Sequence, residues 1–371
     1  MQSFKISPHI HLAASCGEFC QEFQVGEGDL LFASRRTQEH YLQGLGQGAI
    51  RVDYRDFGTG EPTDKMVEGI AAALAGQEYK RVIAIGGGTI LDVAKLFALQ
   101  QLLPIDRLFQ QEIQPRKKCE LVLVPTTCGT GSEMTNISIL SLTSLSTKMG
   151  LDHDALYADH AVLIPELLQG LPDKAFGASA IDALIHAMES FTSPRATAFT
   201  QMFSLQAMDW IIRGFQDMAA QGKAAREKHL EKFLLASAYA GIAFGNAGCA
   251  AVHALSYPLG AAKHVPHGEA NAVMLLPVYR LYQEKRYDGS LRELCQHLAM
   301  LLDCPETTVW SRLEELLSVI LNWKKLSGYG VTEAELADFA AVVMTKQKRL
   351  MANNYVTLTR ADVDRIYKEL C

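Results

Sequence analysis

The stretch "RVIAIGGGTILDVAKLFAL", residues 81–99, decides the fold of the first half of this chain of 371 residues. After Arg81 comes an apolar run rich in isoleucine and valine, which is typical of a strand buried on both faces of a parallel sheet. Three glycines follow, and from about Thr89 the apolar residues recur at the spacing of a helix. The stretch therefore predicts a strand, a tight turn and a helix.

The glycines Gly86, Gly87 and Gly88 allow backbone N–H groups to turn toward a ligand, because no Cβ stands in the way. The helix that follows directs its positive end at the same place, which favours an anion such as a pyrophosphate. A tight turn without any ligand is the alternative explanation of the three glycines. The turn by itself does not separate the two.

A second loop, "VPTTCGTGSEMTN" at residues 124–136, follows another apolar run and favours the ligand. It carries hydroxyl groups suited to a ribose, a phosphate or a carboxamide: Thr126, Thr127, Thr130 and Ser132. Two such loops in one parallel sheet place a ligand at its carboxyl edge. The first half is therefore predicted to bind a dinucleotide.

The chain changes character near residue 170. Strand-like runs at 29–34 and 120–125 flank the opening stretch, and Thr63 is a suitable N-cap for a helix between the first two strands. This order predicts an open, mostly parallel, Rossmann-like α/β domain over residues 1–168. From about Pro172 onward helix-forming segments follow one another, which predicts an all-α domain over residues 169–371. "LIPELLQGLP", residues 163–172, is the expected hinge.

Composition narrows the class of protein. The chain is 49% hydrophobic and 20% charged with a net charge of −6, which argues against a nucleic-acid or anionic-membrane partner. It has neither an apolar run long enough for a membrane helix nor the apolar core of a signal peptide at its N-terminus. The eight cysteines form no CxxC pair and are expected to be free thiols in a reducing cytoplasm.

Histidines in the second half suggest a metal. Asp182 and His186 are four residues apart, which stacks them on one face of a helix, although a hydrogen-bonded core histidine would explain that pair alone. The segment 251–269 adds His253, His264 and His267. One carboxylate and three imidazoles suit Fe²⁺ or Zn²⁺. Spacing alone does not decide between His264 and His267.

For His253 and His267 to reach one site, the chain between them must turn back. Pro258 and Gly260 lie between the two histidines and are expected to break the chain there.

Four ordered motifs together resemble the iron-containing (group III) alcohol dehydrogenase family, and within it the 4-hydroxybutyrate dehydrogenases. They are "GGGTILDVAK", "PTTCGTGSE", "IDALIHAMES" and "HALSYPLGAAKHVPHG", and the resemblance extends over essentially the whole chain. It implies the fold shared with dehydroquinate synthase: a dinucleotide-binding α/β domain, a helical metal domain and an active site in the cleft between them.

The resemblance also implies site residues. The metal ligands would be Asp182, His186, His253 and His267, because the family's last ligand is the histidine before glycine in "PHG". The residues expected to line the cofactor are Gly86, Gly87, Gly88, Thr89, Asp92, Thr126, Thr127, Ser132 and Lys148, with Ser34 after the first strand.

Two positions depart from the family pattern. Tyr257 stands where many members have a histidine near the reacting centre, and a phenol with a pKa of about 10 is a poor base. Ser34 stands where NAD-preferring members have an aspartate, and Arg35 and Arg36 follow it. These arginines either admit a 2′-phosphate or are solvated surface. We expect NAD as the cofactor, with NADP open.

Three residues near the expected metal ligands in sequence complete the candidate site. Tyr257 and His264 are expected to take part in catalysis, and Lys263 to anchor a substrate carboxylate, with a solvated lysine as the alternative.

The expected reaction is reversible hydride transfer between NAD(P)H and a short aldehyde, with succinate semialdehyde reduced to 4-hydroxybutyrate. One alternative is another short alcohol, such as 1,3-propanediol, propanediol (from lactaldehyde), butanol or glycerol. An alternative of another class is a non-redox lyase of the dehydroquinate-synthase kind. The family further implies a homo-oligomer, at least a dimer.

Overall fold

The chain forms two compact units. The computed structural model describes residues 3–58, 60–145 and 147–371. An α/β unit comprises Ile6–Leu171, and a helical unit comprises Pro172–Cys371 with residues 3–5. The segment expected to be a hinge contains a short 3₁₀ helix, Pro165–Leu168, and the units divide just after it.

The α/β unit alternates strands and helices. Its strands are β1 (His9–Leu12), β2 (Asp29–Ala33), β3 (Ile50–Val52), β4 (Arg81–Gly86), β5 (Glu120–Pro125), β6 (Ile137–Leu142), β7 (Thr147–Asp152) and β8 (His160–Leu163). Its helices are α1 (Cys16–Glu22), α2 (Arg35–Tyr41), α3 (Asp64–Ala73), α4 (Gly88–Phe97) and α5 (Ile105–Phe109).

Six of the described strands form one parallel sheet in the order β1-β8-β5-β4-β2-β3. Successive residues of β4 point to opposite faces: Val82 and Ala84 belong to one buried cluster, while Ile83 and Ile85 belong to the other. All four are fully buried, which explains why the strand reads as a continuous apolar run. The α/β fold expected from the sequence is confirmed.

In this unit one helix predicted from its N-cap is confirmed, and one hairpin was not predicted. The helix expected after Thr63 is α3, and the Thr63 hydroxyl accepts a hydrogen bond from the Met66 N–H. The antiparallel hairpin β6–β7 was not expected, because its alternating burial gives it no continuous apolar run.

The helical unit contains α6 (Asp173–Thr192), α7 (Ala198–Gln221), α8 (Leu230–Ala247), α9 (Ala251–Lys263), α10 (His267–Lys285), α11 (Gly289–Leu302), α12 (Val309–Ile320), α13 (Glu333–Lys346), α14 (Lys348–Met351) and α15 (Arg360–Leu370). All regular elements assigned in its described part are helical, as expected. No single described helix is long and apolar enough to cross a membrane. One pair of helical segments with a bend between them, Lys223–Ala247 and Ala251–Lys263, reaches that length and apolar composition only when the two are counted together.

Candidate active site

The four residues expected to bind the metal lie close together in the helical unit. Asp182 and His186 lie one turn apart on α6. His253 lies on α9, and His267 is the first residue of α10. Asp182, His186 and His253 are each at most 5% exposed, whereas His267 is half-buried.

The ligand atoms of Asp182, His253 and His267 lie within 4.8 Å of one another, and a second group of this kind joins His253 to His186 and Cys249. His253 Nε2 lies 2.9 Å from His186 Nε2 and 3.7 Å from Asp182 Oδ1, and His267 Nε2 lies 3.7 Å from the same oxygen. Two ligands bound to Zn²⁺ at about 2.1 Å with a tetrahedral angle between them are about 3.4 Å apart. The spacing of Asp182, His253 and His267 therefore fits a divalent ion, and His186 adjoins them through His253.

The hydrogen bonding of His253 points to a cation as well. Its Nδ1 lies 2.6 Å from Glu189 Oε2, and an ionised carboxylate only accepts, so Nδ1 carries the proton. In the neutral imidazole, Nε2 then keeps a lone pair that faces His186 Nε2. That lone pair is the one a divalent ion would bind, whereas a hydrogen on either nitrogen makes the same contact an N–H···N hydrogen bond. The donor set therefore fits a divalent metal, which would take the place of that hydrogen.

Glu189 anchors the start of α9. Besides His253, its carboxylate accepts hydrogen bonds from the backbone N–H groups of Ala250, at 3.0 Å, and Val252, at 2.7 Å. Burial opposes a positive charge on His253, but the Glu189 carboxylate beside Nδ1 nevertheless raises its pKa above the usual value. Glu189 was not predicted from the sequence, although it lies three residues after His186 and so on the same side of α6.

Two more residues at this cluster were missed. Asn271, one turn after His267, donates from its side-chain amide to Asp182 Oδ1 at 2.7 Å and lies 3.2 Å from His267 Nε2. The Cys249 sulfur lies within 4.8 Å of a ring nitrogen of both His186 and His253. Burial raises the pKa of this thiol, which favours its neutral form.

The chain turns back later than expected. Pro258 and Gly260 both lie inside α9, and the helix ends at Lys263, just before His264, whose φ of 54° is left-handed. The expected break at Pro258 and Gly260 is therefore wrong, because α9 continues through the proline. A Cβ on Gly268 would lie only 2.2 Å from the Ala178 carbonyl oxygen. Glycine after His267 thus lets α10 begin directly against α6.

The three residues proposed beside the metal have different environments. The half-buried Tyr257 has its ring 6.0 Å from that of His267, whereas His264 is exposed. Lys263 Nζ lies 2.8 Å from Glu335 Oε1, and this hydrogen bond helps to lower the pKa of Glu335 to about 2. The charge of Lys263 is therefore already paired, and its role as a substrate anchor stays a prediction.

On the α/β unit, the two expected cofactor loops begin side by side. Gly86 pairs with Pro125 across β4 and β5, and the Thr126 N–H donates to the Gly86 carbonyl at 3.0 Å. A Cβ on Gly88 would lie 2.7 Å from Thr130 Cγ2, so the loops pack too closely for a side chain there. No side chain of the described residues caps α4, which leaves its positive end available to an anion.

Asp92 and Ser132 bind each other. The Ser132 hydroxyl donates to Asp92 Oδ1 at 2.5 Å, and the Ile139 N–H donates to Oδ2 at 3.1 Å. Lys95, which is fully buried, donates to the Ser132 hydroxyl at 2.7 Å and to the Ile137 carbonyl at 2.6 Å. These side chains therefore hold the second loop against α4. Lys95 was not predicted as a site residue, although "DVAK" places it one turn after Asp92.

The other residues expected to contact the cofactor lie in several elements of the α/β unit. Thr89, Thr126 and Thr127 are half-buried near the glycine turn. Ser34 caps α2 by accepting the Thr37 N–H at 3.2 Å, and Lys148 pairs with Glu61 at 2.7 Å. Their contacts with a nucleotide stay predictions.

Replacing Glu189 with glutamine should weaken Zn²⁺ binding by about 10- to 100-fold, because an amide no longer fixes the His253 tautomer as a carboxylate does. The affinity is measured by competition with a chromogenic chelator. Asp209→Asn is the matched control, since Asp209 Oδ1 accepts from His297 at the same 2.6 Å elsewhere in the unit. Equal affinities in the two variants would contradict the role given to Glu189.

Comparisons with known proteins agree with both units. The family described as iron-containing alcohol dehydrogenase matches residues 13–165, and the C-terminal domain of the Fe-containing alcohol dehydrogenase family matches residues 176–371. The chain is 41% identical to 4-hydroxybutyrate dehydrogenase from Clostridium kluyveri over 370 residues, covering 100% of both chains. It is 34% identical to long-chain-alcohol dehydrogenase 1 from Geobacillus thermodenitrificans, covering 85% of this chain and 80% of that protein.

Among solved structures, sulfoacetaldehyde reductase from Bifidobacterium kashiwanohense in complex with NAD⁺ superposes with a TM-score of 0.84 at 21% identity. The match covers 100% of this chain and 98% of that one, and at this identity it shows a shared fold.

Proposed function

Because the chain belongs to the iron-containing alcohol dehydrogenase family, we propose that it reduces succinate semialdehyde to 4-hydroxybutyrate with NADH, and catalyses the reverse reaction. One observation carries the choice of substrate: the 41% identity to the Clostridium 4-hydroxybutyrate dehydrogenase extends over both complete chains. Other short alcohols are the second candidates. Long-chain-alcohol dehydrogenase 1, at 34% identity over 85% of this chain, keeps uncharged alcohols in consideration.

The metal would be held by Asp182, His186, His253 and His267, and Fe²⁺ and Zn²⁺ both accept these ligands. When bound, NADH supplies the hydride and the divalent ion polarises the carbonyl oxygen. The residues of this chain orient those groups. Glu189 keeps His253 in the tautomer whose Nε2 has a free lone pair for the metal, and Asn271 holds Asp182 beside His267.

The nucleotide would lie at the carboxyl edge of the sheet. Gly86, Gly87 and Gly88 would admit its pyrophosphate at the start of α4, beside Thr89, Thr126 and Thr127. Asp92 and Ser132 contribute by fixing the shape of the second loop, since each is the hydrogen-bond partner of the other. Ser34, directly after β2, and Lys148, on β7, would also contact the nucleotide.

Reduction of an aldehyde also consumes a proton, which goes to the oxygen of the new alcohol. We assign its delivery to the Tyr257 hydroxyl, because the Tyr257 ring lies 6.0 Å from the His267 ring and stands where the family often has a histidine. His264, exposed at the end of α9, would exchange that proton with solvent. Lys263 would bind the substrate carboxylate by giving up its bond to Glu335.

The eight free cysteines support a reducing compartment, so the proposed location is the cytoplasm. The proposed assembly is a homo-oligomer, at least a dimer, with small molecules as the only other partners. Size-exclusion chromatography with light scattering tests the assembly.

The substrate is tested by comparing succinate semialdehyde with butyraldehyde, which lacks the carboxylate. With NADH and metal-loaded enzyme, kcat/KM should favour succinate semialdehyde by about 10- to 100-fold, the worth of one hydrogen bond to a charged group. A preference for butyraldehyde would reject the carboxylated substrate in favour of another short alcohol. Consumption of one NADH per aldehyde also separates this reaction from a non-redox lyase.

A further inference from the structure

The ends of β2 and β3 form a small charged cluster in the α/β unit. The two strands are parallel neighbours with Phe32 opposite Val52, so Ser34 and Asp53 follow them at almost the same level. Asp53 is only 8% exposed. Its Oδ2 accepts a hydrogen bond from the backbone N–H of Arg35 at 2.7 Å, and its Oδ1 accepts one from the backbone N–H of Arg55 at 3.0 Å.

The Asp53 carboxylate therefore lies at the start of α2 and places a negative charge there. Arg35 is the first residue of α2, so its N–H is one of the groups that a helix start offers to an anion. The carboxylate of Asp53 already occupies that N–H, and the Ser34 hydroxyl occupies the N–H of Thr37. A phosphate at this helix end would therefore meet a carboxylate.

The two arginines of α2 are engaged elsewhere. The Arg35 guanidinium lies 2.7 Å from Asp56 Oδ1, and the Arg36 guanidinium donates to the Gly170 carbonyl at 2.9 Å. Arg55, whose backbone N–H also binds Asp53, adds a third positive charge to the two of α2, against the two negative charges of Asp53 and Asp56. The position of the two carboxylates, rather than the net charge of the cluster, therefore decides what an anion would meet at the start of α2.

We propose that Asp53 and Asp56 restrict the cofactor to NAD(H) by excluding the 2′-phosphate of NADP(H). Asp53 takes over, from the neighbouring strand, the part that an aspartate at the position of Ser34 would play. Each carboxylate oxygen of Asp53 retains a lone pair that can accept from a ribose hydroxyl, whereas a 2′-phosphate would bring like charges together. The arginines after Ser34 are thus not a phosphate site.

This proposal rests on the nucleotide site in the proposed function, and it is tested by binding, without a substrate. NADH and NADPH share one fluorophore, so their dissociation constants are measured by the same fluorescence titration on the full-length, metal-loaded protein. The native protein should bind NADH roughly 100-fold more tightly than NADPH, because placing like charges together costs several kcal/mol.

Three substitutions separate the contributions of Asp56, Arg35 and Asp53 to the cofactor preference. Asp56→Asn releases the Arg35 guanidinium and should improve NADPH binding roughly tenfold, with a much smaller change for NADH. Adding Arg35→Gln to Asp56→Asn should abolish that gain. Asp53→Asn keeps an acceptor for the backbone but removes the charge, and should also narrow the preference for NADH. Glu112→Gln, which neutralises one partner of another exposed pair at 2.7 Å, is the matched control.

Equal affinity of the native protein for NADH and NADPH would overturn the proposal, and so would an Asp56→Asn variant whose NADPH affinity matches that of Glu112→Gln. Asp56 is half-exposed, so this variant stays informative even if Asp53→Asn fails to fold. A wrong substrate assignment leaves these titrations intact, whereas failure to bind either nucleotide would reject the proposed function itself.

Discussion

Replacing His253 with alanine should reduce the bound metal from one ion per chain to less than about a tenth and lower kcat/KM by about 10³-fold or more. His253 lies within ligand distance of both His186 and Asp182, so its loss removes a donor shared by both sides of the cluster. Metal content is measured by mass spectrometry after reconstitution with Fe²⁺ or Zn²⁺ and desalting, and activity with NADH and succinate semialdehyde.

His297→Ala is the matched control for this variant. His297 also pairs with a carboxylate at 2.6 Å in the helical unit, but its partner is Asp209 rather than Glu189. This control should keep its metal and its activity. If His253→Ala folds, as judged by circular dichroism, and still holds one ion per chain, the proposed ligand set is wrong.

Replacing Lys95 with methionine should lower the free energy of unfolding of the α/β unit by about 3–5 kcal/mol, since it breaks a buried ion pair from one side. Three acceptors lie at bonding distance from Lys95 Nζ, the oxygens of Ser132, Thr135 and Ile137, and only a protonated amine offers three donors. Burial lowers the pKa of Lys95 and raises that of the neighbouring Glu133 to about 7. Methionine would leave the Asp92 carboxylate without its cation.

Unfolding in urea distinguishes the two units, because all three tryptophans, Trp210, Trp310 and Trp323, lie in the helical unit. Far-ultraviolet circular dichroism follows both units and should show an early transition in Lys95→Met that tryptophan fluorescence lacks. Lys65→Met is the control, since Lys65 forms an exposed pair with Glu68 in the same unit. If the two variants unfold at the same urea concentration, Lys95 does not carry the stability assigned to it.

The fold could be predicted from particular residues. Strands β2, β4 and β5 read as continuous apolar runs because both faces of the sheet are covered, and α3 was marked by its Thr63 cap. The hairpin β6–β7 escaped prediction, since only alternate residues of β6 are buried.

At the candidate metal site, the sequence supplied the expected ligands but not what orients them. Asp182 and His186 could be paired from helical spacing. The contact between Glu189 and His253 could not, because it joins two residues that lie 64 positions apart on different helices. The return from His253 to His267 was placed at the wrong residues, because a proline inside a helix and a proline that ends one look alike in sequence.

The two loops expected to bind the cofactor were likewise predicted only in part. Glycines and hydroxyls identified the two loops, yet only the packed structure shows that Asp92 and Ser132 bind each other and that Lys95 lies buried beneath them. At Arg35 and Arg36 the sequence suggested two readings, and the partners Asp56 and Gly170, distant along the chain, give each guanidinium a neighbour.

By itself, then, the sequence determined what depends on local spacing: the continuous apolar strands β2, β4 and β5, the run of helices in the second half, the glycine turn and the residue types suited to a divalent ion and a dinucleotide. Tertiary structure alone decided which charges meet. Hydrogen bonds and ion pairs act over a few ångströms in space, and the chain brings Glu189 to His253, and Asp53 to Arg35, only when it folds.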